Sequence, residues 1–469
     1  MSKKTRLLHK YNDNSVASIA ILGAVVMGLG LASMAVRAQS PIAGRLTSIP
    51  GLSPAETNAA AVIEDICPPG NLAADLQTRC NSLVGVVVGT GNQDEGRIVL
   101  QQVAPEQIAT QGTYAVQLDP GQFDNVIGRL SALRTGVTGI SLSGFPRTIE
   151  GHTVSGEALA NQFPNGMTGG AAGTEDSGLL GKLGIFVNGI GTTGEQDTTA
   201  TAPGFDFSSA GVTAGADYRL ADNFILGAAF GYDSVSSDFS NNGGSLDMDQ
   251  YSISGYGTYY LPQGFYVDGL LSYGWNNFES SRNFDYGFTT PAGDLERVVT
   301  QAKSEPDSTQ FAVSAGAGYE LTQRSVTLTP YARVNFIRMD IDAFTETRAD
   351  GWGIRYNDQE IDSLTTQLGG QASYAVSTQW GVLSPLVLAE WIHEFENEAR
   401  SIPVSFIGDP GANPFVVPTN APDRDFFNVG AGISGTFARG VSAFFYYEAL
   451  LGYKNLDRNL FTGGVRFEF

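Results

Sequence analysis

From residue 183 onward the chain alternates apolar and polar side chains in twelve short segments, and its final residue closes the last of them. In the stretch 460–469, Phe461, Gly463, Val465, Phe467 and Phe469 lie on one face; Thr462, Gly464, Arg466 and Glu468 lie on the other. Successive side chains of a strand point to opposite faces, so an apolar row backed by a polar, charged row suits a wall between hydrocarbon and a wet lumen. No other feature constrains the fold as tightly.

The segments fall near 183–191, 206–219, 224–235, 247–261, 264–277, 309–321, 326–341, 362–377, 381–395, 426–438, 441–453 and 459–469. Phe265, Val267, Gly269, Leu271 and Tyr273 oppose Tyr266, Asp268, Leu270, Ser272 and Gly274. The connectors give independent support. Those at 221–223, 262–263, 322–325, 378–380 and 439–440 are tight, whereas 192–205, 236–246, 278–308, 342–361 and 396–425 are long and polar; only the last hairpin, around Lys454–Arg458, is short on the long side. Long–short alternation and an even strand number describe a membrane barrel with small periplasmic turns and larger outer loops. Tyr218, Tyr232, Tyr259, Tyr260, Tyr319 and Tyr453 near strand ends fit interfacial girdles, or simply the strand preference of aromatic residues. The expected fold class is all-β, a twelve-stranded antiparallel transmembrane β-barrel with a small, mainly helical N-terminal region.

Lys3, Lys4, Arg6 and Lys10 precede an apolar run from Val16 to Val36 that ends Val36-Arg37-Ala38-Gln39, which reads as a secretory signal spanning 1–38. An uncleaved anchor is the alternative, because the run is long for a signal. The chain carries a net charge of −21, and residues 1–38 hold five Lys or Arg against one Asp, so the remainder stands at −25. Such acidity argues against nucleic acid as a partner. Cys67 and Cys80 are the only cysteines. In an oxidising compartment they are expected to form a disulfide, with two free thiols on a helix as the alternative.

Residues 39–117 read as short helices. Ser53-Pro54-Ala55-Glu56 is a start signal with a serine cap, proline at the first position and a reciprocal glutamate. Further helices are expected over Asn71–Leu83 and Gln93–Val103, the latter stopped at Pro105. Within 118–136, Phe123, Val126, Ile127, Leu130 and Leu133 share one helical face. A helix of about fifteen residues spans about 22 Å, close to the height of a barrel's apolar band. Residues 137–182, rich in Gly, Ser and Thr, read as a linker.

The order of these parts resembles the autotransporters, the type V secretion family. The resemblance rests on Leu183-Gly184-Ile185-Phe186-Val187-Asn188-Gly189, on Ala210 to Leu220, on Pro330-Tyr331-Ala332-Arg333, on Pro385 with Trp391-Ile392-His393-Glu394-Phe395, and on Phe469. It implies a barrel over 183–469 in the outer membrane of a Gram-negative bacterium, in contact with outer-membrane lipid, with a helix in its pore and an exported upstream segment. It also implies help from periplasmic chaperones and the barrel-assembly machinery, with Phe461, Val465, Phe467 and Phe469 as the assembly signal. Two departures stand out: the upstream segment is short, and a long linker separates the helix at 118–136 from the first strand.

A catalytic constellation is missing from the sequence. Gly139-Ile140-Ser141-Leu142-Ser143-Gly144 places its last glycine one residue too late for a nucleophile elbow, and His152 and His393 lack triad spacing. No metal or cofactor site is expected; Glu394, Glu396, Glu398, Asp423 and Asp425 read as a solvated acidic surface. Inside the barrel, alternation turns Asp217, Asp268, Glu320, Glu390, Glu448 and Glu468 inward together with Arg333 and Arg466. Arg129 and Arg134 of the pore helix are expected to find carboxylate partners there. The expected function is non-enzymatic: a translocator that exports or displays a short N-terminal segment. The alternative is a channel or adhesion protein whose outer loops bind an extracellular ligand.

Overall fold

The computed structural model describes residues 42–67, 71–115, 125–130, 139–141, 183–437 and 441–467. The signal segment 1–38, Arg134, Glu468, Phe469, most of the linker, and the side chains of Val465, Arg466 and Phe467 lie outside the described residues.

Twelve strands form the barrel. They are β1 (Leu183–Gln196), β2 (Phe205–Ala221), β3 (Phe224–Phe239), β4 (Gly244–Tyr260), β5 (Phe265–Thr289), β6 (Asp307–Tyr319), β7 (Val326–Ile341), β8 (Gln359–Tyr374), β9 (Gly381–Glu394), β10 (Asp425–Phe437), β11 (Val441–Leu451) and β12 (Leu456–Phe467). Each pairs antiparallel with its sequence neighbours, and β1 pairs with both β2 and β12, which closes the ring. The seam runs from Gly189 opposite Gly463 to Gln196 opposite Leu456. Toward the tight-turn end, residues 184–186 of β1 take a parallel partner instead, Gly139–Ser141. Those three residues, read from sequence as linker, supply hydrogen-bond partners to a strand edge that β12 leaves unpaired there.

The alternation changes sign along the strands. On β5 the outward row is Phe265, Val267, Leu271, Tyr273 and Trp275, all exposed, and then becomes Asn277 and Glu279. The inward row does the opposite, passing from Asp268, Ser272 and Asn276 to Phe278, Phe284, Tyr286 and Phe288, all buried. A greasy exterior over about eleven residues is one membrane crossing. Beyond it the wall is a water-soluble one, polar outside and apolar inside. Strands therefore run further than the sequence suggested, and β5 continues into a hairpin with Leu295–Ser304. The outer connectors also carry a small sheet of Phe344–Thr345, Ile354–Tyr356, Ser401–Phe406 and Phe415–Pro418.

The soluble end of the wall encloses a helical cap: α1 (Pro54–Ile66), α2 (Ala74–Val84) and α3 (Gln93–Val103). Ser53 caps α1 in a capping box with Glu56, and Pro54 sits in its first turn. Asn92 caps α3 through Glu95 N. Glu64 gathers the preceding chain by accepting from the amides of Gly44, Leu46 and Thr47 at 2.8, 2.6 and 2.9 Å. Cys67 and Cys80 are joined by a disulfide with Cα atoms 5.2 Å apart, which ties the end of α1 to α2. The apolar faces of the helices (Ala59, Ile63, Leu76, Leu83, Leu100, Val103) pack on Phe284 of the wall, Ile354, Phe406 and Val417 of the small sheet, and Trp352 of the connector leading into Ile354. Among the described residues, no helix is long and apolar enough to cross a membrane.

Candidate functional site

The bore is layered. In its tight-turn half lies a helical stretch, residues 125–130, with Val126 and Leu130 buried against Phe186, Ile225 and Tyr256. Arg129 Nε donates to Asp217 at 2.6 Å, with both side chains nearly inaccessible, and its guanidinium stacks over Phe186 at 5.2 Å. Asn125 donates to the Thr213 hydroxyl at 2.8 Å, and Asn188 donates to the Asn125 carbonyl at 3.2 Å. These contacts hold the stretch against the β1–β2 wall. Along the opposite wall a small cavity remains, lined by Tyr331, Arg333, Glu390, Tyr446 and Glu448 among others.

The inward charges fall into local groups. Arg333 pairs with Asp268 at 3.1 Å and donates to the Ser314 hydroxyl at 2.9 Å. Glu448 faces Arg458 at 3.4 Å. Glu390 accepts from the Tyr331 hydroxyl and from Asn428. Glu320 sits in the break after β6 at the tight-turn end, half-exposed, with its amide on the Gly264 carbonyl at 2.9 Å. Arg458 was read from sequence as part of a connector. Because β12 starts at Leu456, it belongs instead to the inward row.

Above this polar layer is an apolar collar. Phe205, Phe239, Leu246, Met248, Phe278, Met339, Ile341, Ile361, Ile392, Phe426, Leu450 and Leu456 point inward from nearly every strand and surround Tyr114 and Ala115. The Tyr114 hydroxyl donates to the Leu246 carbonyl at 2.6 Å and meets the Ser237 hydroxyl at 2.5 Å, so the ring is sunk in grease while its polar tip is satisfied. The pattern was hidden because the inward row of a membrane barrel is expected to be polar.

Over the collar sits the cap, and its seat is polar as well as apolar. Arg282 of β5 is buried; its guanidinium donates to the carbonyls of Gln102 and Val103 at 2.8 and 3.1 Å and forms a two-pronged pair with Glu346 at 3.0 and 2.6 Å. Glu346 also accepts from Ile354 N and the Tyr356 hydroxyl, each at 2.9 Å. Gln102 exchanges two bonds with the Asp285 backbone, and Glu95 accepts from Thr289 N and Oγ1. Each end of the α3 helix is thus received by groups that the wall presents.

Glu106, at the foot of α3, accepts from the Ser53 hydroxyl. Burial pushes its carboxyl up to about 7; Glu56 nearby adds to the rise and the Ser53 bond opposes it. A carboxyl that binds its proton more tightly in the folded cap than in the open chain stabilises the fold fully at low pH. That contribution declines as pH rises from the ordinary carboxylate value and is lost above about 7. Cap release followed by limited proteolysis should therefore speed up between pH 5 and 8 (roughly the span of that titration), and Glu106→Gln should flatten the profile. An unchanged profile in the variant would reject Glu106 as its source.

Acidic residues at the end of β9 and the start of β10 are engaged locally. Glu394 is fully buried and accepts from Ser363, Leu364 N and Glu396 N, so it is not part of a solvated surface. Asp425 accepts from Trp391 and pairs with His393. Among the described residues, no group of three or more His, Cys, Asp or Glu could hold a metal ion.

A family model described as the autotransporter beta-domain matches residues 185–448. Esterase EstA of Pseudomonas aeruginosa is 24% identical over 263 residues, which is 55% of this chain and 38% of that protein. Outer membrane protein A of Rickettsia conorii is 22% identical over 270 residues, covering 56% of this chain and 13% of its own. The chain thus spans well under half the length of these relatives. The translocator domain of the autotransporter NalP from Neisseria meningitidis aligns with a TM-score of 0.48 and 18% identity, covering 61% of this chain and 89% of that one. The family match takes in more than half of the molecule and runs from β1 into β11 of the closed twelve-stranded wall, with the connectors between them. The chain belongs to the autotransporter β-domain family, with a type V secretion translocator barrel in the outer membrane of a Gram-negative bacterium.

Proposed function

We propose that this barrel exports its own short N-terminal segment, about residues 39–115, and keeps it as a folded cap in its outer mouth. One observation carries the reading: Tyr114 lies in the collar at the long-connector end, while residues 125–130 lie deeper in the bore. The chain upstream of the bore therefore stands on the side where a membrane barrel carries its outer loops. Residues 1–38 act as the export signal and are removed. Periplasmic chaperones and the barrel-assembly machinery receive the last strand through Phe461, Val465, Phe467 and Phe469; of these, Phe461 is exposed on the outer face. The Arg129–Asp217 pair and its neighbours hold the pore segment after export, and the Cys67–Cys80 loop is small enough to pass a narrow bore. The exported segment is read as non-catalytic because it lacks a nucleophile elbow.

An epitope inserted beside Asn81, on the cap, should be labelled by antibody on intact cells and remain with the outer membrane after washing. Protection until the outer membrane is permeabilised would mean that residues 39–115 stay periplasmic, and the reading would fall. A cleaved fragment in the medium would remove the retention half of it.

A further inference from the structure

The connector between β9 and β10 folds over the mouth and, together with the cap's last turn at Thr110–Thr113, encloses a cavity of about 660 Å³. That volume falls within the usual range of about 300–1,000 Å³ for small-molecule sites. Arg400 lines it. Its guanidinium lies against the backbone of Gly112, so close that any side chain at 112 would collide with it. Its hydrogen bond to the side-chain oxygen of Gln359 is long, 3.4 Å.

Three other cations at the rim have partners. Arg338 holds Glu360 and Asp362, Lys454 holds Asp423, and Arg424 donates to Asn397. Among the described residues no carboxylate pairs with Arg400. Burial lowers its affinity for the proton to a value of about 10, the response of a cation drawn out of water with no counter-ion beside it.

We propose that the cavity binds a hydroxyl-rich carboxylate, an acidic sugar, whose carboxylate sits on Arg400. A guanidinium fork matches one planar carboxylate. Glu396 and Glu398 line the same space and would repel a doubly charged phosphate, but they suit as acceptors for sugar hydroxyls, with Asn420 and Tyr453 as further polar partners. The cap supplies one wall and the barrel the others, so the site exists only when the cap is seated.

Titration calorimetry on the refolded full chain in polyoxyethylene micelles tests this, with sodium D-galacturonate, D-galactose, sodium acetate and inorganic phosphate as probes. Galacturonate should bind saturably and about tenfold or more tighter than galactose, which lacks the anchoring ion pair, and about tenfold or more tighter than acetate, which lacks the hydroxyl contacts. Arg400→Gln should weaken it about tenfold or more, and Arg400→Lys, which keeps the charge but loses the fork, by a smaller factor. If Arg400→Gln fails to seat the cap, as judged by protease sensitivity, the lysine variant and the galacturonate–galactose gap in the unaltered chain carry the test. Equal affinity for galactose, an unchanged affinity in both Arg400 variants, no saturable binding, or a phosphate response matching that of galacturonate would each overturn the proposal. Binding by purified protein does not depend on how the cap reached the mouth, so this result and the epitope result can fail separately.

Discussion

Replacing Arg282 by methionine will unseat the helical cap while leaving the membrane barrel closed. The substitution removes the donors to the Gln102 and Val103 carbonyls and strands Glu346 as a buried, uncompensated carboxylate. Breaking a buried pair from one side costs about 3–5 kcal/mol, enough to dominate the seating of a cap this small. Trypsin should then reach Arg79 and Arg97 far faster than in the unaltered chain. The band shift between heated and unheated samples should persist, because Arg282 lies beyond the apolar band of β5. Glu346→Gln keeps one of the two acceptor oxygens that serve Ile354 N and the Tyr356 hydroxyl, and it leaves the Arg282 bonds to the Gln102 and Val103 carbonyls in place, so it should be milder. Arg282→Met combined with Glu346→Leu should recover part of the loss, since it removes both charges. A cap as protease-resistant in Arg282→Met as in the parent would show that the buried network contributes little to seating.

The second large effect concerns the collar. Tyr114→Ala should open a conducting path that the unaltered chain lacks, because the Tyr114 ring is buried in one cluster with the inward collar side chains. Truncating a buried aromatic to alanine costs about 3–5 kcal/mol and leaves a cavity, here one that adjoins a hydrated lumen. Single-channel recording in planar bilayers should show a distinct rise in open conductance for Tyr114→Ala and little change for Tyr114→Phe, which keeps the ring. If both variants stay as silent as the parent, the seal lies elsewhere in the bore.

The fold was legible where local rules act alone. Period-two alternation located all twelve barrel strands, and long–short connectors distinguished the two ends of the barrel. The capping box at Ser53 and Glu56 placed the start of α1, and the expected helix over Gln93–Val103 coincides with α3. What resisted reading shares one cause. Above the membrane the alternation inverts, so Phe239, Leu246 and Phe278 fall where a polar inward row is expected, and several strands were ended early there. The outer connectors hide strands of two to six residues, too short to display a period. Their pairing is set by the helices they wrap, which is tertiary information. The same holds for the seat: Arg282 and Glu346 are 64 positions apart within stretches read as loop, and nothing local announces that they meet. Strand parity places Asp217 on the inward row, but its partnership with Arg129, 88 positions away, emerges only once the bore is assembled.

Because Tyr114 anchors the chain in the collar, a cap that lifts off remains on a short leash. The stretch from Val103 to Tyr114, fully extended, spans only about 36–40 Å. An undocked cap would thus sample a small volume above the mouth, where its effective concentration against its own seat stands in the millimolar range or above. Any soluble competitor for that seat must overcome this proximity, so opening would be brief and reversible rather than a shedding event.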